Sequence, residues 1–328
     1  MNETLGVAII GAGRVASAHC RAVKATPGTR VVAIADTDIT RAEALAAQNE
    51  CDPVQNYQAA LERADVDFAI IALPHWLHHK AAIDCANAGK HIFVEKPMAD
   101  TVEECDEMIA AATKNDVHLF VAHTQRFFAS TIATRELLES GRIGKPIFAT
   151  DTWYKNFGLE GRPAWFLDRS GGGGGMWLMN GAHMIDRSCW VLDSEVAAVK
   201  AWIGNPIYNL SADDSAMAFL QLKNGQNVSI IHSGYKIGVD KCEVEILGTE
   251  GMLKFDSYSN RLAVEKDGAY QPIEVTRHDP FQKEVEALAH TIRTGAPLPV
   301  SVEWGRHMID VLCACEESSR TGREVVLG

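Results

Sequence analysis

Leu5-Gly6-Val7-Ala8-Ile9-Ile10 runs straight into Gly11-Ala12-Gly13-Arg14-Val15-Ala16. The first six residues form an apolar run of strand length, and the alanine-rich segment that follows, to about Thr26, reads as a helix. G-x-G-x-x-A in a strand–turn–helix setting is the fingerprint of a dinucleotide-binding βαβ unit. Gly11 permits the tight turn, Gly13 lets a pyrophosphate approach the backbone, and Ala16 lets the helix pack close to the sheet. The helix N-terminus, at Arg14 and Val15, supplies amide donors and the positive end of a dipole.

A glycine motif alone is weak, so its downstream partner matters. A second apolar run over 31–36 ends at Asp36, 23 residues beyond Gly13. That is the place for the carboxylate that takes a ribose hydroxyl. Thr37 and Asp38 follow, with no basic residue before Arg41, so a 2′-phosphate would meet negative charge. NAD is therefore favoured over NADP. The competing reading of Asp36 is a turn or helix cap.

The alternation continues outward. Helices are expected over 41–49 and 57–64, a strand over 68–73, a helix over 76–88 stopped at Gly89, and a strand over 118–122. Thr101-Val-Glu-Glu104 is a capping box that opens a helix to about Lys114. Five or six parallel strands with helices between them make a doubly wound sheet. Within it, His91-Ile92-Phe93-Val94-Glu95-Lys96-Pro97 is a short buried strand that proline ends. Glu95 and Lys96 then stand at the carboxyl edge, where ligands bind in such sheets. A desolvated lysine there trades protons near neutral pH. The competing reading is a solvated lysine that merely ends the strand.

The chain has 328 residues, more than one ordinary core accommodates, so two domains are expected: a dinucleotide-binding domain over 1–123 and a substrate and oligomerisation domain over 124–328. Helices over about 281–321 are expected to pack back on the first domain. Composition is that of a soluble globular protein, 47% hydrophobic and 23% charged, with a formal net charge of −12. That charge argues against nucleic-acid and anionic-membrane partners. No apolar run reaches the length of a membrane helix, and the polar start Met1-Asn2-Glu3-Thr4 reads as no secretion signal. Eight cysteines without a Cys-x-x-Cys pair read as reduced thiols of a cytoplasmic protein. His75 and His78 are three apart, yet no patterned carboxylate or cysteine accompanies them, so no metal is expected.

The second half opens with a helix over 130–141 and a strand over 147–154, then a long irregular stretch ending in Gly171–Gly175. A helix over 182–192 puts His183, Asp186 and Trp190 on one face. His183, in its first turn, has the chemistry of a general acid or base. The competing reading is a structural histidine bonded to Asp186. Six further strands between 197 and 265, with Asn224-Gly225 and Asp267-Gly268 as hairpin signals, make an open, mostly antiparallel sheet. The fold class is thus α/β: an N-terminal Rossmann sheet plus a C-terminal α+β domain.

Together, Gly11-x-Gly13-x-x-Ala16, Leu73-Pro74-His75-x-x-His78, Gly89-Lys90-His91, Glu95-Lys96-Pro97, Gln125-Arg126-Phe127, Gly181-x-His183-x-x-Asp186 and Phe281-x-x-Glu284 resemble the Gfo/Idh/MocA oxidoreductases. The resemblance spans essentially the whole chain. It implies that Leu73, Pro74, His75, His78, Glu95, Lys96 and Arg126 serve the cofactor, and that Lys96 and His183 face the reacting carbinol. It also implies a homodimer or homotetramer assembled through the open sheet. The sequence departs from the family in two places. Met179 stands four residues before the histidine, where an aspartate is usual, and Phe166, not arginine, follows Trp165.

Five of the seven tryptophans lie between 153 and 202. Those around the long loop favour a cyclic substrate, although each alone is equally a core residue. The first functional hypothesis is an NAD-dependent dehydrogenase of a cyclic polyol, sugar or derivative. Lys96 and His183 transfer protons, and Asn156, Trp165, Arg169 and Asn180, with Lys155, supply contacts. The alternatives are a redox-neutral, NAD-dependent glycoside-cleaving enzyme and a non-catalytic NAD or metabolite sensor. An intact Glu95-Lys96-Pro97 with His183 argues against the sensor.

Overall fold

The structure, a computed structural model, describes residues 4–158, 164–169 and 175–328. Residues 171–174 of the glycine run lie outside the described residues. The chain divides into two compact units. The first is Met1–His123 with Asp279–Ile309, and the second is Thr124–His278 with Asp310–Gly328.

In the first unit, strands β1 (Leu5–Ile10), β2 (Thr29–Ala35), β3 (Asp52–Val54), β4 (Phe68–Ile71), β5 (His91–Val94) and β6 (Leu119–Val121) form a sheet in the order β3-β2-β1-β4-β5-β6. All five pairings are parallel. β1 is buried along its whole length and β4 likewise, as expected of strands covered on both faces. Each fully buried Ile or Val of these strands contributes roughly 1.5–3 kcal/mol. Ile10 pairs with Ala35 and with Ile71, Ile71 with Val94, and Val94 with Val121. The strands therefore end in step, and Gly11, Asp36, Ala72 and Glu95 all leave the sheet at one carboxyl edge. The strand order reverses at β1 and β4, the switch point where such sheets bind ligands. β3 was not expected from sequence. It is short, carries Pro53, and survives because it is an edge strand that need not donate on its outer side.

Helices α1 (Ala16–Ala25), α2 (Ile39–Asn49), α3 (Tyr57–Leu61), α4 (His78–Asn87) and α5 (Val102–Lys114) connect these strands. The helix expected over 76–88 is in fact a 3-10 turn, His75–Leu77, running into α4. Thr101 caps α5 by accepting from the Glu104 amide at 3.2 Å, while the Glu104 carboxylate reaches back to the Asp100 amide at 3.0 Å.

The second unit carries α6 (Ala129–Glu139), α7 (Ala182–Val191) and a sheet built from β7 (Pro146–Asn156), β8 (Val196–Gly204), β9 (Ser215–Leu222), β10 (Asn227–Tyr235), β11 (Lys241–Gly248), β12 (Met252–Asp256), β13 (Arg261–Lys266), β14 (Ala269–Ile273) and β15 (Val325–Val326). Their order is β14-β13-β12-β11-β7-β10-β9-β8-β15. Every pairing is antiparallel except β10 with β7. Asp267 and Gly268 both have positive φ, 55° and 79°, which makes the two-residue turn from β13 to β14 a tight primed hairpin. Burial alternates along β10 and, from Ala216 onward, along β9, so one face packs inward and the other is open. Helix α8 (Pro280–Thr294) belongs to the first unit, and α9 (Val302–Thr321) contributes residues to both.

Candidate active site

On the first unit, the turn after β1 is shaped for a ligand's approach. Gly11 has φ +102°, and a Cβ there would sit 2.5 Å from the Ala72 carbonyl oxygen. No other residue fits. Gly13 is different: a Cβ there would meet nothing within 4 Å. Its bareness leaves open space over the backbone rather than relieving a clash. Ala16 is fully buried under the sheet. Val15, at the N-cap of α1, offers no side-chain acceptor; Ala16 and Ala18 donate to the Gly13 and Val15 carbonyls, so the amides placed to meet an anion are those of Arg14 and Val15. Asp36 closes the turn from the side. Its Oδ2 accepts from the Ala12 amide at 2.8 Å and its Oδ1 from the Asp38 amide at 2.9 Å. The turn-capping and ribose-binding readings are thus compatible, because each carboxylate oxygen has a second lone pair. Arg41 is committed to Asp38 at 3.2 Å. These features fit a dinucleotide without a 2′-phosphate.

Farther along the same edge, Leu73-Pro74 and Glu95-Lys96-Pro97 are tied together by His78. Its Nδ1 lies 2.8 Å from the Pro97 carbonyl and its Nε2 2.9 Å from the Leu73 carbonyl. Burial holds this imidazole below its ordinary pKa, against the pull of the two carbonyls and of Glu95. With both ring nitrogens facing backbone, His78 braces the loops. His75 Nδ1 meets Asp100 Oδ1 at 2.7 Å. The Lys96–Pro97 bond is cis.

Glu95 is buried, and its Oε1 lies 2.8 Å from His19 Nε2. Burial works to raise its pKa, but the His19 hydrogen bond and the charges of His19, Lys96 and His78 outweigh it, so the pKa is lowered and the group is ionised. Its Oε2 accepts from the Lys96 amide at 3.2 Å. At Lys96 itself the balance runs the other way. Burial lowers the amine's pKa, and the Glu95 charge opposes this without cancelling it. A half-buried amine with a lowered pKa and an anchored carboxylate beside it is equipped to give and take a proton. His19 was missed by sequence reasoning. It sits on the buried face of α1, edge-on to Phe93 and Phe281 at 5.2 and 5.3 Å between ring centroids.

On the second unit, α7 carries His183, preceded by a π turn, Trp177–Gly181. Trp177 is fully buried, and its indole lies so close to Gly181 that a Cβ there would come within 2.7 Å of the ring. Trp177 is therefore a core residue and not part of an aromatic lining. Asp186 is occupied: Arg126 donates to its Oδ1 through Nε and Nη2 at 2.9 and 2.7 Å, both groups buried. Arg126, expected at the cofactor, directs these two donors to α7.

The adjacent Arg187 and Asp151 form a second buried pair that sequence reasoning missed. Arg187 Nε donates to Asp151 Oδ2 at 2.7 Å, Ser188 Oγ donates to the same oxygen at 3.0 Å, and Arg187 Nη1 reaches Cys242 Sγ at 3.1 Å. Burial opposes charge here, but the Asp151 carboxylate more than compensates at Arg187, whose pKa is raised. The guanidinium also lies 5.5 Å from the Trp153 ring centroid. Trp153 stacks on His232 at 5.7 Å and 11°, and its ring is 6.4 Å from that of His183.

The remaining candidates separate. Asn180 Nδ2 meets His232 Nε2 at 2.9 Å, and Lys155 Nζ stands 5.7 Å over the Trp153 ring. A cavity of about 480 Å³ runs past Trp153, Lys155, Asp240, Glu243 and Tyr258. Asn156 donates its amide to Asp240 Oδ1 at 2.7 Å. Trp165 packs with Met179 against Phe157, Phe166 and Met176. Arg169 lines a different cavity, about 700 Å³, and pairs with Glu316 at 2.7 Å.

Residues 5–123 match the oxidoreductase family with an NAD-binding Rossmann fold, and residues 131–254 match the GFO/IDH/MocA C-terminal domain. The chain belongs to the GFO/IDH/MocA family of oxidoreductases, and its first unit is an NAD-binding domain. It is 30% identical over 250 residues to a 1,5-anhydro-D-fructose reductase of Ensifer adhaerens, covering 75% of this chain and 74% of that one. It is 27% identical to a 2,7-anhydro-N-acetylneuraminate hydratase of Mediterraneibacter gnavus over 77% and 68% of the two chains. It is 25% identical to a scyllo-inositol 2-dehydrogenase (NAD(+)) of Bacillus subtilis strain 168 over 100% and 97%.

Proposed function

We propose that this oxidoreductase interconverts a carbinol and a carbonyl on a cyclic polyol, sugar or sugar derivative. NAD, when bound, accepts or returns the hydride. Gly11, Gly13, Arg14, Val15 and Asp36 would hold it, with Leu73, Pro74, His75, His78, Glu95 and Arg126 in support. Lys96 removes the hydroxyl proton as the alcohol is oxidised and returns it in the reverse direction. The observation that carries this reading is the place of Lys96 at the carboxyl edge of the parallel sheet, directly after a buried Glu95 whose carboxylate is held by His19 at 2.8 Å and by the Lys96 amide at 3.2 Å. His183 is the second proton-transfer or orienting group, with Asn156, Trp165, Arg169 and Asn180 in substrate contacts. The names of the anhydrofructose reductase and the inositol dehydrogenase support the substrate class.

A second reading keeps the same groups in a redox-neutral cleavage. The hydratase relative favours it. Purified protein mixed with NAD and a panel of inositols, anhydrosugars and glycosides separates the two. Accumulating NADH absorbance with a ketone product supports the first, whereas product without net NADH supports the second.

The open face of the second unit's sheet supports a homo-oligomer. Phe148, Trp202, Met217 and Phe219 on β7, β8 and β9 are 42–53% exposed, and Trp202 pairs directly with Met217. A second copy of the chain would cover them. Eight cysteines without a disulfide fit a reducing, cytoplasmic setting. Among the described residues, no helix is long and apolar enough to cross a membrane.

A further inference from the structure

The π turn before α7 offers one polar side chain, because Met179 packs on the Phe157–Phe166–Met176 cluster and Trp177 is in the core. That side chain is Asn180, and what it presents depends on which way its amide is turned. The hydrogen-bond chemistry decides this. His232 Nδ1 lies 2.9 Å from the Trp153 carbonyl oxygen. A carbonyl only accepts, so Nδ1 carries the ring proton. Burial keeps a second proton off the ring, holding the pKa down to about 4 against the pull of the Trp153 carbonyl, with the charges of Arg187 and Lys155 adding to the depression. Nε2 is therefore a lone pair. The Asn180 atom 2.9 Å from it must be the NH2 donor, which leaves the amide oxygen on the other branch. Stacking on Trp153 fixes the imidazole's plane.

We propose that His232, locked in its Nδ1–H tautomer, is a positioning residue that turns Asn180 so that its amide oxygen accepts from a substrate hydroxyl. This rests on the polyol reading above. Asn180 can accept that hydrogen bond but cannot take the proton, so its contribution is to binding and specificity, and proton transfer stays with Lys96 and His183. π turns inserted in α-helices recur at functional sites.

Two measurements test this. Imidazole ¹⁵N NMR of the full chain at neutral pH should show His232 with a protonated Nδ1 and a bare Nε2, and Asn180→Asp should raise the His232 pKa by placing a carboxylate against that lone pair. An Nε2–H or doubly protonated ring in the parent protein overturns the lock, whatever the activity. Kinetics follow with the panel polyol that yields NADH. His232→Phe keeps the stacking and removes both hydrogen bonds. It should raise KM for the polyol about tenfold, leave KM for NAD unchanged, and have little further effect in an Asn180→Ala background. Additive effects of the two substitutions, or an unchanged KM, would overturn the role in binding. If no polyol yields NADH while the ring is Nδ1–H, the polyol reading and the role built on it fall, and only the tautomer assignment stands.

Discussion

At the scale of single residues, Lys96 concentrates the chemistry. Lys96→Met should lower kcat by about 10²–10⁴-fold, the usual worth of a positioned acid–base group, while NAD binding measured by fluorescence titration persists. In the parent protein the oxidation rate should rise with pH through the lowered pKa of this amine and then level off, because the neutral form takes the proton. The variant should lose that limb. Asp213 makes a prediction of the opposite kind. It is buried, its Oδ1 accepts from the Trp177 amide at 2.7 Å, and burial raises its pKa to about 7. A carboxyl whose folded pKa is raised stabilises the fold when protonated, and that stability is lost as pH rises from the ordinary carboxylate range through about 7. Asp213→Asn keeps an acceptor without the charge, so its thermal stability relative to the parent should improve between pH 4 and pH 8. Lys96 and Asp36 were legible in the sequence because their positions follow from where two strands end. His19, His232, Arg187 and Asp151 were not, because their partners lie 76, 52 and 36 residues away, and no local pattern marks a buried polar residue whose partner is distant.

At the scale of elements, α7 is held by ions as well as by apolar contacts. Asp151→Ala leaves Arg187 buried and uncompensated, which should cost about 3–5 kcal/mol. Replacing both residues by apolar ones of similar volume should recover most of that loss. Chemical denaturation of the two variants checks the difference, and equal losses would mean that the pair is not the brace. The strands and helices of the first unit were largely legible because β1, β2, β4 and β5 are apolar runs closed by glycine, proline or a charged residue. The strands that escaped, β3, β14 and β15, are short edge strands, two with an internal proline. The π turn also escaped. Nothing in Trp-Leu-Met-Asn-Gly announces a widened turn, and it is the fit of the Trp177 ring on Gly181 that accompanies it.

At the scale of the whole molecule, the open sheet face makes a prediction about assembly. Met217→Glu with Phe219→Lys places charges in the middle of the exposed apolar face and should turn an oligomer into a monomer by sedimentation, with each chain still folded. The fold class was legible from one strand, one glycine turn and one distant aspartate, and the second unit's sheet from its hairpins and alternation. The substrate was not, because its contacts are set by side chains that only the fold brings together. The most direct test follows the hydride. A polyol deuterated at its reacting carbinol carbon is incubated with the protein and NAD, and the nicotinamide is examined by mass spectrometry. The account predicts deuterium on the reduced nicotinamide in step with ketone formation, with both signals lost in Lys96→Met. Product formed without deuterated NADH would contradict it.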